Sequence, residues 1–238
     1  MQCDLNCDMG EGIGNDESIM PYITSANIAC GYHAGDEYTM QQTILLAKRY
    51  NVNIGAHPSF LDRENFGRTE IIRSPQEVYE LVSEQIKRLQ KIASDNQATL
   101  QHVKPHGALY NMAAKDKVLA HAIALAVKDI DENLILFGLS NSFLISETKA
   151  IGLITASEVF ADRTFQDDGS LTPRAQPNAL IQNVDEMIQQ VSKMLQGKVK
   201  TVSGKEIPIV AETICIHSDG EHALEFAKEI KNILLKPL

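Results

Sequence analysis

Seven short apolar segments recur along this chain, each closing on polar residues, and amphipathic helical patterns separate most of them. The first opens at Asp4, and the others fall at residues 26–30, 52–56, 100–104, 134–138, 154–159 and 213–216. Strands that alternate with helices are parallel and covered by those helices, so the chain folds as a (β/α) barrel or as a doubly wound sheet. In both architectures the ligand site lies at the carboxyl ends of the strands. Polar stripes on the strands favour the barrel. A length of 238 residues suits one α/β domain spanning residues 1–238, with no linker, repeat or low-complexity segment dividing it.

The polar stripe is clearest in the first strand and the loop that leaves it, DLNCDMGEGIG at residues 4–14. Side chains alternate faces along a strand, so Asp4, Asn6 and Asp8 share one face while Cys3, Leu5 and Cys7 share the other. Buried carboxylates cost free energy unless donors or cations meet them, so the stripe requires partners on other strands. Glycines then carry Glu11 over the strand's end.

Helices are expected near residues 38–50, 74–94, 112–128, 142–150, 184–196 and 221–234. The second has the strongest start signal, with Ser74 as cap, Pro75 at the first helical position and Glu77 completing a capping box. In the first, Ile44, Leu45 and Ala47 form the expected buried face. Segments 199–202 and 207–209 flank Ser203-Gly204 and suggest a small hairpin. A long loop at residues 59–73 carries Arg63 and Arg68, and its length points to function; residues 160–179, with Arg163 and Arg174, are again loop-like.

Bulk properties exclude several functions. Lys and Arg number 22 against 31 Asp and Glu, for a net charge of −9 without a basic cluster, so nucleic acid and anionic membranes are poor partners. No apolar run approaches the ~20 residues of a membrane span and no signal peptide is recognisable, so a cytoplasmic location is expected. The four cysteines stand singly rather than as C-x-x-C, and are read as reduced and mostly buried, with a nucleophilic Cys30 or Cys215 as the alternative.

The strand ends collect Asp8 and Glu11; His33 and Asp36; His57; Lys104 and His106; Ser140; Glu158, Asp162 and Arg163; His217 and Asp219. Four of the seven histidines lie there, and only the set as a whole signals an active site. Plainer roles compete for single members. Asp36 also suits a helix cap, His102 a satisfied core position, and Arg174 a partner of Asp167 or Asp168. Gly10, Gly12 and Gly14 are a weak phosphate-loop signal because no Gly-Lys-Ser/Thr follows. A strand-borne Lys104 among carboxylates is best read as neutralising an oxyanion or orienting a phosphate. Two chemistries fit the set. Histidines with Asp8 would hold a divalent metal that activates water, or Lys104, Arg163 and the histidines would stabilise a phosphorylated carbonyl while Asp8 or Glu158 moves protons.

The runs DLNCDMGEG (4–12), ANIACGYHAGD (26–36), GAHPS (55–59), HVKPHGALY (102–110), EVFADR (158–163) and DGSLTPR (168–174) resemble the LamB/YcsF family, and the resemblance covers essentially the whole chain. It implies a seven-stranded TIM-like (β/α) barrel similar to the glycoside hydrolase/deacetylase superfamily. It also implies the A-subunit role in an ATP-dependent 5-oxoprolinase, which opens 5-oxoproline to L-glutamate with ATP and Mg2+ and with separate B and C subunits; a homo-oligomer is compatible with this. On that basis catalysis is assigned to Asp8, Glu11, His57, Lys104, His106 and Glu158. Substrate contacts are assigned to Asn6, His33, Asp36, Asp162, Arg163, Arg174, His217 and Asp219, and no residue is assigned as a metal ligand. Where the family shows His-Gly-Asp and then a small hydroxyl residue, this chain has His217-Ser218-Asp219-Gly220, which keeps both side chains but alters the loop. The competing expectations are a stand-alone metal-dependent amide or ester hydrolase, with metal at Asp8, His57 and a third ligand, and a substrate-binding subunit without chemistry of its own.

Overall fold

A computed structural model describes residues 3–235. Seven parallel strands close into a barrel: β1 (Asp4–Met9), β2 (Ser25–Ala29), β3 (Asn53–His57), β4 (His102–Val103), β5 (Ile135–Leu139), β6 (Thr155–Phe160) and, after a small antiparallel hairpin of β7 (Lys198–Lys200) and β8 (Glu206–Pro208), β9 (Thr213–His217). Strand β9 closes the ring by pairing with both β6 and β1, placing Asn6 opposite Cys215 and Asp8 opposite His217. The doubly wound alternative is thereby excluded.

The outer layer holds α1 (Asp16–Ile19), α2 (Glu37–Tyr50), α3 (Pro75–Asp95), α4 (Gly107–Lys115), α5 (Lys117–Ile130), α6 (Phe143–Ala150), α7 (Val184–Leu195) and α8 (Ala223–Leu234). Helix α3 starts as its sequence dictates, with Ser74 and Glu77 completing the reciprocal cap, and buries Val78, Val82, Ile86, Leu89 and Ala93. Helix α2 buries Ile44 and Ala47, but Leu45 is 43% exposed, one residue off the inward stripe. The expected 112–128 helix is two helices. Asp116 adopts an extended backbone and its carboxylate accepts from the Val118 and Leu119 amides, so the chain restarts there as α5. The short α1 and the 3-10 turn Met20–Tyr22 after it carry no periodic pattern long enough to show in sequence.

Inside the barrel the stripe of β1 finds the partners it requires. At the lower end, Asp4 accepts from the hydroxyls of Thr24, Ser25 (2.7 Å) and Thr213 (2.6 Å). Above it, Asn6 donates to Glu158 Oε1 (2.9 Å) and Thr213 Oγ1 (2.7 Å) and accepts from Asn27 (2.7 Å). His102 fills the lumen beside it, stacked on Phe137 and bonded to Asn27 Oδ1 (2.7 Å); burial holds it down to about 3, a neutral core residue. Room for that ring comes from Gly55, where an added Cβ would lie 2.1 Å from His102 Nε2. Among the described residues no helix is long and apolar enough to cross a membrane.

Candidate active site

The upper end of the barrel opens into a cleft of about 260 Å³ lined by Asp8, His57, Lys104, His106, Tyr110, Arg68, Arg174 and His217, among others. Its floor is a buried charge network centred on Lys104, whose ammonium donates to Asp8 Oδ1 (2.9 Å) and Cys215 Sγ (2.9 Å) and pairs with Glu158 Oε1 (3.1 Å). Burial opposes the lysine's charge, yet Asp8 and Glu158 raise Lys104 well above the usual range. Burial likewise opposes the charge of Asp8, but His57 and Lys104 hold its carboxyl well below the usual range. The Cys215 thiol is pushed well above its usual value by burial, so it packs and accepts rather than attacks. All four cysteines are free thiols, three of them fully buried.

Above Asp8 stands a histidine cluster. His57 lies 3.3 Å from Asp8 Oδ2 through Nε2, while its Nδ1 donates to the carbonyl of Lys104 (2.7 Å). His106 meets His57 across 2.9 Å and bonds the Phe66 carbonyl (2.8 Å). His33 stacks on His106 with centroids 3.8 Å apart, and its Nε2 is 3.1 Å from Glu11 Oε1. Burial and the charge of Asp8 push the Glu11 carboxyl well above the usual range, and burial holds His33 and His106 well below the usual imidazole range. The cluster is locked by close backbone approach: Ala108 donates to the Gly67 carbonyl (2.9 Å), and a Cβ on Gly107 would sit 2.4 Å from that oxygen.

The other wall is cationic. Arg68 pairs with Asp219 (2.7 Å), and Arg174 approaches the same carboxylate (3.7 Å), leaving each guanidinium further N–H groups at the cleft. Asp162 accepts from the His217 amide (3.1 Å) and faces its Nδ1 (2.8 Å); burial alone would raise Asp162, but His217 and Arg163 lower it. Arg163 is committed to structure. Its guanidinium donates to the carbonyls of Thr172 (2.6 Å) and Ala179 (3.3 Å), and burial lowers it to about 10.

A sequence profile of the LamB/YcsF family matches residues 3–237. The chain belongs to the LamB/YcsF family. It is 52% identical over 242 aligned positions to proteins named as the A subunit of 5-oxoprolinase in Staphylococcus aureus strains Newman and JH9, covering 99% of this chain and 97% of theirs. The crystal structure of the lactam utilization protein from Thermus thermophilus superposes with a TM-score of 0.90 at 40% identity, over 98% of this chain and 96% of that one. A putative cellobiose-phosphate cleavage protein from Enterococcus faecalis V583 shares the fold alone, at 14% identity and a TM-score of 0.50, over 90% of this chain and 79% of that one.

Of the residues that the family motifs single out, Asp8, His57, Lys104, His106, Arg163, Arg174 and His217 line the cleft, and Glu11, His33, Glu158, Asp162 and Asp219 contact them directly. Two sit elsewhere. Asp36 is exposed and caps α2 through the amide and hydroxyl of Thr39 (both 2.8 Å), so its place is helix entry rather than substrate contact. Asn6 is fully buried beneath Lys104 and braces the floor. Arg174 pairs with neither Asp167 nor Asp168, which instead accept from Thr201 and Ser203 and from Ser170. Arg68 and Tyr110 line the cleft without having been singled out by motif; Arg68 stands in the long loop marked by its length, and Tyr110 within the HVKPHGALY run. In the altered last loop, the Ser218 carbonyl accepts from Asn15, while its buried hydroxyl has no partner.

Proposed function

We propose that this chain is the A subunit of an ATP-dependent 5-oxoprolinase, binding 5-oxoproline in the cleft and taking part in its opening to L-glutamate. The observation that carries the reading is the pairing, in one small cleft, of a cationic wall at Arg68 and Arg174 with a floor of Lys104, Asp8 and histidines, in a chain whose relatives bear that name over their full length. The wall suits a carboxylate, which two guanidinium forks recognise geometrically. The floor suits the lactam, whose oxygen gains negative charge when attacked and whose nitrogen needs a proton on departure.

An unstrained lactam is resonance-stabilised and resists water. Transfer of the γ-phosphoryl group of ATP, with its Mg2+, to the amide oxygen gives an imidate phosphate and ADP. Water then adds to the carbon, cleavage of the C–N bond with protonation at nitrogen opens the ring to an acyl phosphate, and a second water hydrolyses that to glutamate and inorganic phosphate. Lys104 would offset charge at the amide oxygen, and Asp8, which lines the cleft, would take the proton of attacking water and return one to nitrogen. A cleft of about 260 Å³ is smaller than the ~300 Å³ at the lower end for drug-sized ligands, so it fits the lactam rather than a whole nucleotide. Separate B and C subunits, in a cytoplasmic assembly, would then complete the nucleotide site. The test is calorimetric titration of the chain with 5-oxoproline: Arg174→Ala and Arg68→Ala are each expected to weaken binding about tenfold, the loss of one charge-assisted contact. Binding of 5-oxoproline unaffected by both substitutions would refute the placement.

A further inference from the structure

The protonation of two histidines is fixed by what faces their far nitrogens. His57 Nδ1 lies 2.7 Å from the Lys104 carbonyl, and His106 Nε2 lies 2.8 Å from the Phe66 carbonyl. A carbonyl only accepts, so both nitrogens carry hydrogen. In neutral imidazoles the remaining nitrogens, His57 Nε2 and His106 Nδ1, are then bare lone pairs, and they face each other across 2.9 Å. Such a contact is repulsive unless a positive centre serves both.

The surroundings say which centre fits. Glu11 Oε1 lies 3.7 Å from His106 Nδ1, Asp8 Oδ2 lies 3.3 Å from His57 Nε2, and the donor atoms of Glu11, His33, His57 and His106 all fall within 4.8 Å of one another. A single shared proton would satisfy one pair of these atoms, whereas a cation serves the imidazoles and the carboxylate together. Both imidazoles also donate their outer N–H to a backbone carbonyl, the arrangement that fixes the ring of a metal-bound histidine. Acidic side chains outnumber cations at this depth, with Asp8, Glu11 and Glu158 set against Lys104. His33 is less suited to direct ligation. It stacks within 6° of parallel on His106, so the two in-plane lone pairs run side by side rather than converge, and its contact with Glu11 makes it a positioning residue.

We propose that His57 Nε2, His106 Nδ1 and Glu11 Oε1 form a binding site for a borderline divalent transition metal of the Zn2+ class. Two imidazoles and a carboxylate suit that class rather than Mg2+, which prefers oxygen ligands. Three protein ligands leave a coordination position, and His57 and His106 line the cleft, so the open position faces the substrate side. There the ion would polarise a carbonyl or hold a water, both compatible with amide opening.

The proposal stands apart from the lactam reading, because its readout needs neither 5-oxoproline nor ATP. The full chain, stripped with a chelator and dialysed, is titrated with Co2+ alone and then with Zn2+ as competitor. The expected result is one Co2+ per chain with the intense visible absorption of four- or five-coordinate cobalt, abolished by stoichiometric Zn2+. His106→Ala and Glu11→Gln should each weaken Co2+ binding at least about 100-fold, and His33→Ala about 10-fold, as outer partners do. Thermal unfolding of metal-free chains shows whether each variant is folded, and Glu11→Gln, nearly isosteric, keeps the comparison meaningful if His106→Ala is not. No binding of Co2+ or Zn2+ at about 100 µM, or binding that Glu11→Gln leaves unchanged, overturns the proposal. A nitrogen-15 spectrum showing one proton shared between His57 and His106 in metal-free chain, with no change on adding Zn2+, would overturn it too.

Discussion

Lys104 is the residue on which the floor of the cleft depends. It is 2% exposed and balances two carboxylates that are themselves out of water, Asp8 and Glu158. Removing one member of a buried ionic network leaves the others uncompensated, so Lys104→Met is expected to destabilise the fold by about 3–5 kcal/mol in denaturant unfolding. Asp162 makes a pH-dependent contribution. Its folded pKa is lowered, so the stabilisation is present above the ordinary carboxylate range and is lost as pH falls through the lowered value. Wild type is therefore expected to exceed Asp162→Asn by about 1–3 kcal/mol at neutral pH, with the gap closing in acid; a gap constant down to acid pH would contradict this. The thiols offer a simpler check. Burial raises Cys3 and Cys30 to about 12 and Cys7 and Cys215 well above their usual value, so native chain at pH 8 should react with a disulfide reagent only on unfolding.

At the scale of elements, the strands were legible because each is a short apolar run ending in polar residues, and α3 because its cap, proline and stripe agree. The break between α4 and α5 was not, since an Ala-rich stretch reads as continuous helix and Asp116 is both a tolerable interior residue and a good cap. If the cap decides the break, Asp116→Ala should cost about 1 kcal/mol, measured by thermal or urea unfolding. Leu45 shows the limit of periodicity, because one step of 100° turns a residue from core to solvent. The site's polar floor was foreseeable from the stripe of β1, but Arg68 was not. Its position depends on a loop folded back through Asp62, which accepts from the Thr69 amide, and through Arg63, which donates to the carbonyls of Gly31 and Gly35 (both 2.9 Å). The Arg63 contacts join residues about thirty positions apart and leave no local signal. Arg163 shows the converse, a cation in the right motif whose donors hold its own loop.

For the whole molecule, barrel closure is what turns scattered motifs into one site. Strand β9 brings His217 opposite Asp8 from more than two hundred residues away, and Lys104 on the loop after β4 reaches across the lumen to β1, β6 and β9. Gly55 leaves room in the lumen for the His102 ring, so Gly55→Ala is expected to perturb the barrel far beyond its own strand. The cleft that results is small and polar, with the guanidinium groups of Arg68 and Arg174 on one wall and Asp8, Lys104 and histidines on the floor. The most direct test of this account is ADP and glutamate release from 5-oxoproline and ATP, measured with this chain alone and with its presumed B and C partners. The account predicts stoichiometric ADP and glutamate only when the partners are present, with Lys104→Met inactive in the assembly. Turnover of 5-oxoproline by the chain alone, or an assembly indifferent to Lys104→Met, would contradict it.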